Sequence, residues 1–135
     1  MRKKKDLLFK YLCSSLPYGT KVKIKYHDGV WKLLAIYTNG TTYATRDVGY
    51  PIETYFEDCK PYLLPLSSMT EEQKREYNRL KHDIPVCHYE YGDVVEEIEL
   101  YDSPISFEYL IENHFDVYDL IPRGLAEDAT GLNLY

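Results

Sequence analysis

"TKVKIKYHDGVWKLLAIYTNGTTYATRD", residues 20–47, alternates apolar and polar residues around two turn signals. Asp28-Gly29 and Asn39-Gly40 are dipeptides that two-residue hairpin turns favour, because the central positions need positive φ. Flanking runs rich in valine, isoleucine, threonine and tyrosine read as strands over 21–27, 30–38 and 41–47. "DVGYP" (47–51) makes a looser turn, and "IETYFE" (52–57) reads as a fourth strand. Short strands joined by tight turns predict an antiparallel meander, curled toward an SH3-like barrel.

The register implied by the Asp28-Gly29 turn sorts these strands into two faces. It pairs Tyr26 with Trp31, Lys25 with Lys32, Ile24 with Leu33 and Lys23 with Leu34. Val22, Ile24, Tyr26, Trp31, Leu33, Ala35 and Tyr37 then share one face, a core pattern. The opposite face collects Lys21, Lys23, Lys25, His27, Lys32, Leu34 and Ile36, with Tyr43 opposite Ile36 through the second turn. Lysines there call for anions, and the apolar residues call for cover. An anionic ligand at Lys23, Lys25, Lys32 and Tyr43 satisfies both, with Tyr43 stacking and the lysines neutralising charge. Cover by the acidic stretch holding Glu97 and Glu99, or by a second subunit, satisfies them as well.

Around this meander the chain supplies helices. Leu7, Leu8, Tyr11, Leu12 and Leu16 recur at helical spacing, so residues 3–15 form an amphipathic helix that Pro17 and Gly19 end. "PLSSMTEEQKREYNRL" (65–80) carries a capping box, Thr70 with Gln73 three residues on, ahead of a surface helix. "VCHYEY" (86–91) and "VVEEIELY" (94–101) flank Gly92-Asp93 as a further hairpin. Pro104 opens a C-terminal helix that places Phe107, Leu110, Ile111, His114 and Phe115 on one face. At 135 residues the expectation is a single α+β domain over 1–135.

Composition narrows the function. Hydrophobic residues make up 44% and charged residues 28%, a globular balance. Tyrosine dominates the aromatics, with 15 against four phenylalanines and one tryptophan, which favours strands and half-buried surfaces. Residues 1–26 hold eight bases and one acid, whereas residues 83–135 hold one base and thirteen acids. The net charge of −6 disfavours a broad nucleic-acid surface. Cys13, Cys59 and Cys87 are odd in number and irregularly spaced, which fits a reducing, cytoplasmic setting. "MRKKKDLLFKYLCSSL" (1–16) has an apolar run interrupted by Lys10, too short for a signal peptide, and no stretch is long enough to span a membrane.

Motifs for catalysis are missing from the sequence: no G-x-G-x-x-G, P-loop, H-E-x-x-H or G-x-S-x-G occurs. Cys87 and His88 are strand neighbours pointing to opposite faces, and His82, Cys87 and His88 lack a paired chelate for zinc. His114 and Asp116 lie close together, but His114 falls on the apolar helix face, the place of a packed histidine. We therefore expect no catalytic residues, no metal and no cofactor.

"KPYLLPLSSMTEEQKREY" (60–77) and "LIENHFDVYDLIPRGLAEDA" (110–129) together resemble a group of small uncharacterised proteins of Bacteroides-type phages, prophages and mobile elements. That group has a "PMSSMTEEE"-like helix start and an "HHFDYRGLIPKGLAIEAP"-like ending, and "LCSSLPYGTKVK" (12–23) resembles its N-terminal portion. The matching residues are Pro61, Leu66, Ser67, Ser68, Met69, Thr70, Glu71 and Glu72, then His114, Phe115, Asp116, Leu120, Ile121, Gly124, Leu125 and Ala126. Asn113, Val117-Tyr118-Asp119 and Ala129-Thr130 depart from the pattern. The resemblance implies a phage or mobile-element origin without a known catalytic activity. The sequence thus points to a non-enzymatic binding module for a host protein or a small anionic, nucleotide-like ligand, of use in countering host defence. A single-stranded nucleic-acid binder or a virion component is the alternative.

Overall fold

The computed structural model describes residues 2–46, 49–82 and 104–135. The N-terminal helix α1 runs Arg2–Ser15 and passes through a 3-10 turn, Leu16–Tyr18, to Gly19 at φ 70°. Strands β1 (Lys21–Ile24), β2 (His27–Ile36), β3 (Thr41–Thr45) and β4 (Ile52–Tyr55) follow as an antiparallel meander. A 3-10 turn over Phe56–Asp58 leads into β5 (Cys59–Leu63), which returns to pair with β1. Helix α2 (Glu71–His82) and helix α3 (Pro104–Glu112) come next, and β6 (Glu127–Asp128) adds in parallel to β5. The sheet order is β4-β3-β2-β1-β5-β6. This is an α+β fold on an open, mostly antiparallel sheet. The meander forms as expected, but β4 and β6 are free edges among the described residues, so no closed SH3-like barrel is seen.

The core lies between one face of the sheet and the helices. Leu8, Tyr11 and Leu12 of α1 pack with Val22, Ile24, Trp31, Leu33, Ala44, Phe56, Cys59 and Leu63. Ile111 of α3, with Leu120 and Ala126 beyond it, completes the cluster. The helical spacing of the α1 leucines therefore served burial, as read.

The hairpin registers differ from the expectation. The β1–β2 turn is Lys25-Tyr26, with Ile24 opposite His27, and Asp28-Gly29 lies inside β2. Two extra residues on β2 bulge there, with Gly29 at φ 92°. Val22, not Tyr26, now faces Trp31, and Lys21, not Lys25, faces Lys32. The bulge gives the buried Trp31 indole an acceptor, the Asp28 carbonyl at 3.1 Å, which a regular hairpin at 28–29 would not supply. Tyr26 is expelled from the expected core face and is 89% exposed. A second bulge at Leu34 sets Tyr43 opposite Ala35 rather than Ile36. The Asn39-Gly40 turn sits where expected, but Tyr37 pairs with Thr41 across three residues. Gly40, at φ 94°, is obligatory because a Cβ would overlap the Tyr55 ring.

The capping box at the start of α2 forms in both directions. Gln73 N–H donates to Thr70 Oγ1 at 3.1 Å, and Thr70 N–H donates to Gln73 Oε1 at 2.9 Å. The hairpin expected over 86–101, with Cys87, His88, Glu97 and Glu99, lies outside the described residues.

Beyond α3 the chain forms a strap across the end of β5. Helix α3 closes with a Schellman motif: Phe115 N–H reaches the Leu110 carbonyl, and His114 N–H reaches that of Ile111. The left-handed position is His114, at φ 64°. Leu64 then sits between the strap's backbone groups, donating to the His114 carbonyl at 2.8 Å and accepting from Asp116 N–H at 2.9 Å.

Candidate functional site

Lys21 and Lys23 alternate along β1 with the buried Val22 and Ile24, so they stand on the sheet face opposite the core. Register brings more lysines to that face. Lys32 of β2 is directly opposite Lys21, and Lys60 of β5 is directly opposite Lys23. Like charges facing each other across a ladder destabilise a sheet. Some of these charges are answered. The Lys21 ammonium donates to the Leu134 carbonyl at 2.5 Å and lies 5.8 Å from the Tyr135 ring centre. Lys23 reaches Glu127 at 3.5 Å, a long and exposed pair. Among the described residues, Lys32 and Lys60 have no ion pair.

Lys23, Lys25 and Lys60 converge with Glu57 and Asp58 around a cleft of about 470 Å³. The local backbone holds it together, since Lys25 N–H donates to the Asp58 carbonyl at 3.0 Å. Glu57 is engaged by Lys5 of α1 at 3.1 Å. The Asp58 side chain has no partner among the described residues, and the Lys25 ammonium hovers 5.1 Å from the Tyr26 ring centre.

The residues singled out from the sequence are therefore split into two groups. Lys23 and Lys25 belong to the cleft. Lys32 and Tyr43 lie one strand further over, linked by the Lys32–Thr45 pair, with Tyr43 two residues along β3 on the same face. Tyr43 is already occupied: its phenol donates to Glu53 at 2.7 Å, which raises its pKa, and its ring packs edge-on against Tyr37 at 5.7 Å. Lys60 was missed because "CKPYL" contains Pro61 and shows no alternation, so 59–63 did not read as a strand.

His114 and Asp116, the other chemical candidates, are buried in the strap; Asp116 is fully bonded there, while the His114 Nδ1 has no hydrogen-bond partner among the described residues. The Asp116 carboxylate accepts from Leu120 N–H at 2.7 Å and Ile121 N–H at 2.9 Å. His114 is 6% exposed and stacks on Tyr135, ring centres 3.5 Å apart. Burial and the positive Lys21 nearby push its pKa down to about 4. A second groove, about 580 Å³ between α1 and α3, is lined by Phe107, Ile111 and Tyr118, with Lys10 over Tyr118 and Tyr18 bonded to Glu108 at 2.8 Å. Its charged groups are thus already engaged. Among the described residues no group of His, Cys, Asp and Glu could hold a metal ion, and no helix is long and apolar enough to cross a membrane. No protein-family model, curated protein or solved structure matches the chain.

Proposed function

We propose that the protein is a non-enzymatic binding module whose lysine-bearing sheet face captures a small anionic, nucleotide-like ligand. One observation carries the reading: lysines are paired directly with lysines across two ladders, the exposed Lys23 with the exposed Lys60, and the half-buried Lys21 with the exposed Lys32. That arrangement is unfavourable for the sheet alone, and an anion seated between the ammonium groups reverses the sign of the interaction. The cleft at Lys23, Lys25 and Lys60 is of the size that small-ligand sites have. The use of both Asp116 carboxylate oxygens by backbone N–H groups supports a binding rather than a catalytic role. For a phage or mobile-element protein, such capture withdraws a host signal and counters defence from within the host cytoplasm.

Calorimetric titration with ATP at low and at physiological salt tests this. The parent protein binds, more weakly at the higher salt, and Lys25→Gln/Lys60→Gln weakens binding at least tenfold while the melting temperature holds. Unchanged affinity in that double variant overturns the ligand face. A single-stranded nucleic acid is the second reading, favoured by the exposure of Tyr26 (89%), beside Lys25, and of Tyr37 (54%), beside Tyr43. It requires an oligonucleotide to bind with a steep salt dependence that ATP does not share.

A further inference from the structure

The turn between β1 and β2 places a tyrosine where the backbone asks for glycine. Tyr26 sits at φ 70°, in the left-handed region that bulky side chains avoid. The other left-handed non-glycine residues among the described ones have reasons to be there. Asp119 and Asn133 are types that tolerate the conformation, and His114 closes the Schellman motif under the Tyr135 ring. Tyr26 gains no such burial, since its ring is 89% exposed and its recorded neighbour is the Lys25 ammonium. A strained, exposed aromatic that the fold does not use is grounds for assigning it a role outside the fold.

Its location specifies the role. Lys25 lines the cleft and its ammonium lies 5.1 Å from the Tyr26 ring centre, so the ring, itself outside the lining, is one side chain away from the space between Lys23, Lys25 and Lys60. The cleft offers ammonium groups and the Asp58 carboxylate as an acceptor, and the exposed Tyr26 ring is next to its Lys25 wall. We propose that Tyr26 is a base-stacking residue and that the cleft takes a nucleoside phosphate. The base stacks on Tyr26, the phosphate lies between Lys25 and Lys60, and the Asp58 carboxylate accepts a hydrogen bond from a sugar hydroxyl. This deepens the anionic-ligand reading and rests on it. It moves the stacking role from Tyr43, whose phenol and ring are already engaged, to Tyr26.

Titrations of AMP, ribose 5-phosphate and inorganic phosphate, at one ionic strength, separate the parts. The parent protein binds AMP about tenfold or more tightly than ribose 5-phosphate, the gain expected from one stacked base. Tyr26→Gly abolishes that preference with the melting temperature unchanged or raised, since glycine relieves the turn, and Tyr26→Phe keeps it. Equal binding of AMP and ribose 5-phosphate by the parent overturns the inference. So does AMP affinity unaltered in Tyr26→Gly, or a marked fall in its melting temperature, which would make Tyr26 a structural residue. If Lys25→Gln/Lys60→Gln loses AMP while Tyr26→Gly keeps it, the stacking inference alone fails. If both variants bind as the parent does, the lysine-face reading fails with it.

Discussion

The strap that crosses the end of β5 and the lysine face of β1 hold the same kinds of side chain in opposite circumstances. In the strap, Asp116 is 5% exposed and each carboxylate oxygen accepts a backbone N–H. In the cleft, Asp58 has no partner among the described residues, and exposed lysines face exposed lysines. Buried polar groups without partners are costly, and the fold answers Asp116 in full, whereas the buried His114 Nδ1 has no hydrogen-bond partner among the described residues. Exposed charges carry no such obligation. What the fold leaves unanswered at the surface, and even sets in mutual repulsion, is the better indicator of a binding role than a buried His-x-Asp.

The comparison breaks most forcefully at Phe115, which is fully buried where the strap meets β5. Phe115→Ala costs about 3–5 kcal/mol of unfolding free energy in urea titrations. Asp116→Ala, which strands two N–H groups, costs about 2–4 kcal/mol in the same measurement. A value near zero for either would move the strap to the periphery and reopen His114 and Asp116 as a site.

A smaller effect is a pH dependence. His114 has its pKa depressed to about 4 in the folded protein, whereas the unfolded chain has the ordinary value of 6.5. Between these values the unfolded state binds the extra proton, so stability is present above about pH 6.5 and falls as pH drops toward 4. The groups around the imidazole reinforce the sign on one side, through Lys21, while Tyr135 and Tyr11 stay neutral in this range. Asparagine tolerates the left-handed backbone and does not titrate, so His114→Asn flattens this slope in thermal melts. An unchanged slope would assign the dependence elsewhere.

The smallest effect belongs to the lysine face. Lys32→Gln removes the repulsion with Lys21, and its melting temperature equals or slightly exceeds that of the parent. A clear loss of stability there would mean that the fold itself uses Lys32, and the contrast between the two regions would weaken.

What the sequence disclosed followed from local rules. The capping box at Thr70 and Gln73 and the apolar stripe of α1 depend on spacings within a few residues, and both formed as read. The hairpin register did not, because Trp31 buries its indole by borrowing the Asp28 carbonyl, and that needs a bulge no dipeptide rule contains. A shift of this kind exchanged Tyr26 for Val22 as the partner of Trp31 and brought Lys21 rather than Lys25 opposite Lys32. The lysine face itself was legible, since alternation in β1 survives the shift. Lys60 was not, because β5 is defined by its partners rather than by its own pattern. Pro61 at its centre conceals a strand that only β1 and β6 reveal.

The position of β5 also has a consequence in time. The β1–β2, β2–β3 and β3–β4 pairings join neighbours in the chain, whereas Leu63 finds Asp128, and Leu64 finds Phe115, only across long separations. Loop closure over such distances costs more entropy than closing a hairpin, so the expected order forms the meander in the transition state and docks the strap after it. A strap lesson such as Phe115→Ala then appears in the unfolding arm of a chevron plot, with the refolding arm nearly unmoved. With that outcome the strap is the clasp that sets how long the folded molecule lasts, while the hairpins set how fast it is made.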